Sequence, residues 1–181
     1  MSKTILVLTG SPRAGGNSDQ LAEAFIRGAA GNGSRILRFD AGRKQIGPCT
    51  GCLACFSKGT PCVSPDDFTE LAGYLQQADA IAIFTPIYWF TFPAGIKAAI
   101  DKMYSFCIAE KPMGVKESIM VVCGEDTNLD TFDPMVKTYE KICGYLKWEN
   151  KGHIIVPGVY DSGAVQSTPA IAGMQKIGSY Y

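Results

Sequence analysis

Apolar runs and amphipathic segments alternate along most of the chain. Five runs have the near-continuous, β-rich character of strands that are buried on both faces of a parallel sheet. They cover residues 4–10, 35–40, 80–88, 118–125 and 153–159. Segments with apolar residues at helical spacing separate these runs and follow the last one. The regular alternation of strand and helix predicts an α/β fold in which helices cover a parallel sheet.

Helices are predicted over residues 19–30, 66–79, 93–104, 131–148 and 169–180. Lys97 and Asp101 lie one turn apart on the third of them and are interpreted as a local ion pair. No repeat, low-complexity tract or linker interrupts the pattern. We therefore predict one domain over residues 1–181, with a cysteine-rich insertion at 46–64.

The charge balance excludes several classes of partner. The chain has 17 Lys and Arg against 17 Asp and Glu, which argues against nucleic acid and anionic membrane surfaces. Its apolar runs are shorter than the roughly 18 to 20 residues of a bilayer span, and its N-terminus lacks the features of a signal peptide. We therefore predict a cytoplasmic protein with reduced thiols. The odd cysteine count also disfavours a disulfide framework.

The connection between the first strand and the first helix reads TGSPRAGGNSDQL. Small residues let successive backbone N–H groups point into one concavity, and the helix N-terminus adds partial positive charge. Ser11, Asn17 and Ser18 offer side-chain donors and Arg13 a fixed charge, so the loop predicts an anion site. Asn17 with Gln20 also resembles a capping box, and a well-capped turn is the alternative interpretation.

The same loop departs from two familiar nucleotide-binding patterns. Gly10 and Gly15 have P-loop spacing, but Gly16 and Asn17 stand where a P-loop has Lys and Ser or Thr. The G-x-G-x-x-G pattern of dinucleotide sites is absent as well. A single phosphate monoester is therefore the anion that this loop predicts.

Four aromatic residues follow the third strand within TPIYWFTFPAGIKAAID. One or two of them are expected in the core, but four in so short a loop exceed what core packing requires. Such a loop would form an apolar wall for a planar ligand. In the strand order 2-1-3-4-5, strands one and three flank the crevice where ligands bind. A planar ring beside a phosphate arm describes FMN.

Together, GSPRAGGNS, TPIYWFTFPAGIKAAIDKMY and CTGCLAC resemble the NADPH-dependent FMN reductase branch of the flavodoxin-like superfamily, close to the iron–sulfur flavoproteins. HIIVPGVYDSGAV resembles the last strand and loop of that family. The resemblance implies a three-layer, doubly wound, five-stranded parallel sheet in the order 2-1-3-4-5. It also implies tightly bound FMN and a homodimer or homotetramer with the flavin near a subunit interface.

The resemblance assigns site residues by motif position. It implies that the phosphate is held by Ser11, Arg13, Asn17 and Ser18. It implies that the flavin ring is lined by Pro86, Ile87, Tyr88, Trp89 and Phe90. The loop after the fourth strand, with Gly124 and Glu125, would touch the far side of the ring, although it departs from the glycine-rich form expected there.

In such enzymes the flavin accepts a hydride from NAD(P)H and then passes electrons to an acceptor, so no catalytic side chain is required. None stands out in this chain, and the one histidine, His153, is interpreted as structural. We therefore predict an NAD(P)H-dependent FMN oxidoreductase that acts on a small acceptor such as a quinone, a nitro compound or free flavin. The alternative is an iron–sulfur flavoprotein that carries electrons to a redox protein through FMN and a 4Fe-4S cluster on Cys49, Cys52, Cys55 and Cys62.

Four of the seven cysteines, Cys49, Cys52, Cys55 and Cys62, have the spacing C-x2-C-x2-C-x6-C. This spacing resembles the bacterial ferredoxin run C-x2-C-x2-C-x3-C-P, although the last gap is longer and Val63 replaces the proline. A 4Fe-4S cluster, a four-thiolate zinc site and metal-free thiols at a subunit contact all remain open. The other cysteines are predicted to be small core residues; they are Cys107, Cys123 and Cys143.

Overall fold

The computed structural model describes residues 2–181. Its strands are β1 (Thr4–Thr9), β2 (Arg35–Asp40), β3 (Ala80–Pro86), β4 (Glu117–Cys123) and β5 (Glu149–Val156). Its helices are α1 (Asn17–Gly31), α2 (Phe68–Gln77), α3 (Ala94–Lys102), α4 (Tyr104–Ile108), α5 (Asp133–Leu146) and α6 (Ala170–Gly178). Short 3-10 helices cover Leu129–Phe132 and Ala164–Ser167.

The five strands form one parallel sheet in the order β2-β1-β3-β4-β5, which confirms the predicted fold class. β2 lies on one side of β1, and the chain then crosses over so that β3 lies on the other side of β1. The crevice at the carboxyl ends of β1 and β3 is therefore the topological switch point of the sheet. Two loops leave the sheet at this point: residues 10–16 after β1, which we call the phosphate loop, and residues 87–93 after β3, which we call the aromatic loop.

Both faces of β1 are covered, which explains its continuous apolar run. Leu6 and Leu8 pack in a core that α2, α3, α4 and α5 share. Ile5 and Val7 point to the opposite face and pack with residues of α1 and α6. A strand between two helical layers has no solvent face, so no polar residue alternates with its apolar ones.

The aromatic loop ends β3 earlier than predicted. The strand stops at Pro86, because Tyr88 folds back and forms an isolated antiparallel bridge with Thr91. The predicted helix over residues 93–104 is also divided. The N–H of Met103 bonds to the carbonyl of Ile100, and this tighter turn separates α3 from α4.

The last strand begins earlier than the sequence predicts. The run 153–159 leaves out Glu149 and the polar residues after it, yet β5 begins at Glu149 and pairs with β4 from there. β5 lies at the edge of the sheet, where solvent replaces a second neighbouring strand and polar residues are tolerated. His153 lies inside this strand and is exposed.

Within residues 2–181, no helix has both the length and the apolar character that crossing a bilayer requires.

Candidate functional site

A cavity of about 530 Å³ opens at the carboxyl edge of the sheet, between the loops that follow β1, β3, β4 and β5. We call it the switch-point cavity. It brings together all ten residues that were predicted to bind the cofactor: Ser11, Arg13, Asn17, Ser18, Pro86, Ile87, Tyr88, Trp89, Phe90 and Gly124. The volume lies within the range of roughly 300 to 1,000 Å³ that is usual for cofactor and ligand sites.

The phosphate loop forms one end of this cavity. The hydroxyl of Ser11 accepts the backbone N–H of Arg13 at 3.1 Å and thereby folds the loop over the start of α1. Gly10 has no room for a side chain, since a Cβ there would lie 2.4 Å from Oγ1 of Thr85. This close approach holds the loop against β3. Ser18 is buried and Arg13 is exposed, so a neutral donor lies deep and a cation lies at the mouth.

The contacts of Asn17 show that the capping-box interpretation is wrong. Gly16 occupies the N-cap of α1, and no side chain caps this end. The Asn17 amide instead donates to the carbonyl of Asp161 at 2.9 Å, while its oxygen accepts the N–H groups of Gly163 and Val165 at 3.1 and 3.2 Å. Asn17 therefore fixes the loop after β5 beside the phosphate loop.

The aromatic loop forms the apolar end of the cavity. Tyr88 and Thr91 exchange two backbone hydrogen bonds, Tyr88 N–H to Thr91 O at 2.9 Å and Thr91 N–H to Tyr88 O at 3.0 Å. The two residues between them, Trp89 and Phe90, have φ of 45° and 64°. Left-handed φ at non-glycine residues is unfavourable, and such strain concentrates at functional sites. The tight turn leaves Trp89 91% exposed and Phe90 51% exposed.

The loop after β4 also lines the cavity. Gly124 is required there, because a Cβ would lie 2.7 Å from Cγ2 of Ile87. The Asp126 carboxylate accepts the hydroxyl of Thr131 at 2.6 Å and the N–H of Asn128 at 2.9 Å. These two bonds, the hydroxyl first, hold the pKa of Asp126 below its usual range.

Sequence reasoning missed seven residues that line the switch-point cavity: Gly16, Cys123, Asp126, Thr131, Val159, Tyr160 and Ser162. Three of them lie in or next to the segment HIIVPGVYDSGAV, whose resemblance to the family was the available signal. Cys123 was predicted to be a core residue and is indeed buried. Burial raises the pKa of its thiol to about 12, so Cys123 is an uncharged and unreactive part of the wall.

The four clustered cysteines lie around a second, much smaller cavity of about 30 Å³. We call it the cysteine pocket; it is lined by Cys49, Cys52, Cys55 and Cys62 of the loop and by Lys102, Tyr104 and Ser105 beneath it, among others. Among residues 2–181, it shares no lining residue with the switch-point cavity. Of the remaining cysteines, Cys143 is buried like Cys123, and Cys107 is only half-buried.

The environments of the four thiols differ. The pKa of Cys52 lies below its ordinary value, because the backbone N–H of Ala54 and then the Thr50 side chain hydrogen-bond to its sulfur. The pKa of Cys55 lies above its ordinary value, first through burial and then through the charges of the other three thiols. Cys49 and Cys52 are exposed, whereas Cys55 and Cys62 are half-buried.

The cysteine pocket offers the right donors for an iron–sulfur cluster but does not present a ready-made site for one ion. Its lining contains four soft sulfur ligands and no histidine or carboxylate. Within residues 2–181, no three His, Cys, Asp or Glu side chains are placed to share a metal ion. The thiolates of a cubane bind different irons and stand farther apart than those that share one zinc. The small cavity would still have to open, and the exposed Cys49 and Cys52 are the ligands free to move outward.

A parallel sheet with a phosphate loop and an aromatic loop at its switch point defines a flavodoxin-like flavoprotein. Comparison with known families agrees: residues 4–128 match the family of the NADPH-dependent FMN reductases. The chain belongs to this family.

Individual relatives carry two kinds of name. An iron–sulfur flavoprotein of Archaeoglobus fulgidus is 30% identical over 86% of this chain and 66% of its own length. The chain covers only 57% and 50% of two further iron–sulfur flavoproteins, so it spans half to two thirds of these curated relatives. A Bacillus subtilis protein named as an NAD(P)H-dependent FMN-containing oxidoreductase is 22% identical over 96% of this chain and 95% of its own.

Solved structures share the fold. An NAD(P)H:quinone oxidoreductase from Methanothermobacter marburgensis superposes with a TM-score of 0.79 over 99% of this chain and 96% of its own, at 18% identity. At this identity the likeness shows the flavodoxin-like fold alone.

Proposed function

We propose that the protein is an FMN-dependent NAD(P)H oxidoreductase that passes electrons from bound flavin to a small acceptor such as a quinone, a nitro compound or free flavin. One observation carries the proposal: four separate loops build a single cavity with Ser11, Arg13 and Ser18 at one end and aromatic residues at the other. Family membership supports the same cofactor.

The residues present fit FMN. At the polar end, Ser11, Ser18 and Arg13 would hold the phosphate together with backbone N–H groups at the start of α1. At the other end, the wall from Pro86 to Phe90 would face the ring, with Gly124 next to Ile87. When bound there, FMN supplies the hydride and electron chemistry.

The protein's own side chains would bind and orient the reactants. Arg13 would offset the phosphate charge, and Asn17 would hold the loop after β5 in place as the rim of the site. The aromatic side chains would exclude water from one face of the ring. Cys123 stays protonated because of its raised pKa, so no thiolate of the wall competes as a nucleophile. No catalytic acid or base is assigned.

The exposed aromatic residues at the tip of the aromatic loop support the proposal that a partner covers the mouth of the cavity. Trp89 is 91% exposed, and Tyr160, which lines the same cavity from the loop after β5, is 65% exposed. Large exposed aromatic residues beside a cavity are typical of surfaces that a ligand or a second subunit covers. We propose a homodimer or homotetramer, which light scattering of the purified protein would test.

FMN binding and turnover test the main proposal. We expect about one FMN per chain and NAD(P)H oxidation that requires a soluble quinone. Replacing Arg13 by Ala removes a charge-assisted contact worth about 1.5 to 3 kcal/mol, so the dissociation constant of FMN should rise about tenfold to hundredfold. Arg27→Ala, at an exposed position on α1, is the matched control and should leave the affinity unchanged. A protein without FMN would contradict the proposal.

A second candidate is an iron–sulfur flavoprotein that carries electrons to a redox protein. It is supported by the four thiols that line one pocket and by the names of the relatives. Cys49, Cys52, Cys55 and Cys62 would hold a 4Fe-4S cluster, which adds one-electron chemistry when present. Anaerobic purification with iron and sulfide counted per FMN would test it: about four of each per chain supports the cluster, and negligible iron leaves the oxidoreductase alone.

A further inference from the structure

The loop that carries the four cysteines is closed at its base by side-chain hydrogen bonds. The carboxylate of Asp66 accepts the backbone N–H of Gly47 at 3.0 Å and that of Phe68 at 3.1 Å. It also pairs with the ammonium group of Lys102, whose side chain is only 2% exposed. These contacts join the two ends of the loop to each other and to the end of α3, so the cysteines are held over a fixed floor.

That floor is the junction of α3 and α4. Lys102 and Ser105 line the cysteine pocket from below. One residue further along α4, the ring of Phe106 packs edge-on against Phe56 of the cysteine loop, with centroids 5.7 Å apart. The same turn that presents Ser105 is therefore packed directly against the loop.

The hydroxyl of Ser105 is a buried polar group that lacks a hydrogen-bond partner in the described part of the fold. The residue is 3% exposed, and its Oγ has no hydrogen-bond partner within residues 2–181. A serine in a helix ordinarily bonds to a carbonyl in the preceding turn, and this one does not. Alanine would fill the same space without burying an unpaired polar group, which is unfavourable. The cavity that Ser105 lines contains four cysteines, whose sulfurs are the potential acceptors.

We propose that Ser105 is a positioning residue of the cysteine pocket: its hydroxyl donates a hydrogen bond to a cysteine sulfur once the cysteines ligate an iron–sulfur cluster. The proposal rests on the second candidate function. A ligating thiolate carries more negative charge than a thiol and is the better acceptor, so ligation gives the hydroxyl the partner that it lacks. Lys102, paired with Asp66, contributes a buried cation to the same pocket.

This hydrogen bond has a measurable consequence for the cluster. Hydrogen bonds to the sulfurs of a cluster help to set its reduction potential. Reduction adds negative charge to the cluster and its ligands, so a donated hydrogen bond stabilises the reduced form more than the oxidised form. Loss of the Ser105 hydroxyl should therefore shift the midpoint potential to lower values while leaving FMN content unchanged.

The test compares variants after anaerobic reconstitution with iron and sulfide, by redox titration followed by electron paramagnetic resonance. Ser105→Ala should have a lower midpoint potential than the wild-type protein. Ser105→Thr and Ser105→Val form a pair of equal shape that differs only in the hydroxyl, and only the threonine variant should retain the wild-type potential. This pair decides the matter even if Ser105→Ala does not fold.

The matched control is Ser57→Ala. Ser57 lies in the same loop, does not line the pocket, and donates its hydroxyl to the carbonyl of Ala54 at 2.7 Å. The midpoint potential of the Ser57→Ala variant should equal that of the wild-type protein. Equal potentials for the Thr and Val variants would overturn the proposal. Failure of the wild-type protein to take up any cluster while binding one FMN per chain would overturn it too, and would leave the FMN oxidoreductase proposal intact.

Discussion

The switch-point cavity and the cysteine pocket lie on the same chain but are built in different ways. The first is formed by four loops that parallel strands deliver to one edge of the sheet, and it is shaped at Gly10 and Gly124 by side chains packed close against the glycine backbone. The second is formed by one long loop whose position depends on a few side chains, chiefly Asp66 and Lys102. The position of the loops around the switch-point cavity is set by the packing of the whole sheet. The position of the cysteine loop depends on a few individual contacts.

The largest expected effect comes from breaking the buried ion pair below the cysteine pocket. Asp66→Ala leaves Lys102 buried without a counter-charge, and removing one partner of a buried pair typically costs about 3 to 5 kcal/mol. Chemical denaturation should show this loss in the free energy of unfolding. Asp101→Ala is the control: it breaks the exposed pair with Lys97, whose predicted contact is confirmed at 2.6 Å, and should cost less than about 0.5 kcal/mol. Equal losses would contradict the assigned burial.

The second-largest expected effect tests the switch-point cavity. A Cβ on Gly42 would lie 2.4 Å from both the carbonyl carbon and the carbonyl oxygen of Ser11, and backbone atoms cannot yield as a flexible side chain does. Gly42→Ala should therefore displace the phosphate loop at a cost of about 1 to 3 kcal/mol. Fluorescence titration should show FMN affinity weakened about tenfold or more.

Gly73→Ala is the control for that substitution. Gly73 lies in α2, and apart from its chain neighbours and its own helix backbone, no atom of residues 2–181 lies within 4 Å of a Cβ placed there. The change should leave FMN binding unaltered and raise the free energy of unfolding by about 0.5 to 1 kcal/mol, because alanine is the better helix former. Unaltered FMN binding in Gly42→Ala as well would show that the phosphate loop tolerates displacement.

Asn17 tests whether the loop after β5 belongs to the cavity. Asn17→Ala leaves the buried or half-buried N–H groups of Gly163 and Val165 without their acceptor. The free energy of unfolding should fall by about 1 to 3 kcal/mol, and proteolysis in the segment 157–169 should be faster. Asn150→Ala removes a similar bond, to Gly152 at 2.8 Å, at an exposed site and should cost less. An unchanged proteolysis pattern would contradict the role of Asn17.

The smallest expected effect concerns the independence of the two cavities. Replacing Cys49, Cys52, Cys55 and Cys62 together by Ser should leave FMN content unchanged, because the two cavities share no lining residue. Absorption of the bound flavin measures this content, and the single variant Cys143→Ser, in the core, is the comparison for general damage. Loss of FMN from the quadruple variant alone would show that the cavities are coupled.

Much of the fold and of the candidate site follows from local patterns in the sequence. The run in β1 predicts a strand covered on both faces, and the alternation with helices predicts parallel pairing. The ten predicted cofactor residues lie together because they sit in, or directly beside, loops that a parallel sheet delivers to one edge. The resemblance to a family supplied the strand order, which periodicity alone does not contain.

Tertiary structure decided the features that depend on residues distant in sequence. The role of Asn17 rests on Asp161, which is 144 positions away, and local pattern suggested a helix cap instead. Lys102 and Ser105, whose hydroxyl has no partner within residues 2–181, lie together under the cysteine loop where it folds over the α3–α4 junction. Apolar periodicity is a local signal that the hydrophobic effect converts into strands and helices. The partner of a single polar side chain is fixed only when the elements pack, and only the tertiary structure reveals it.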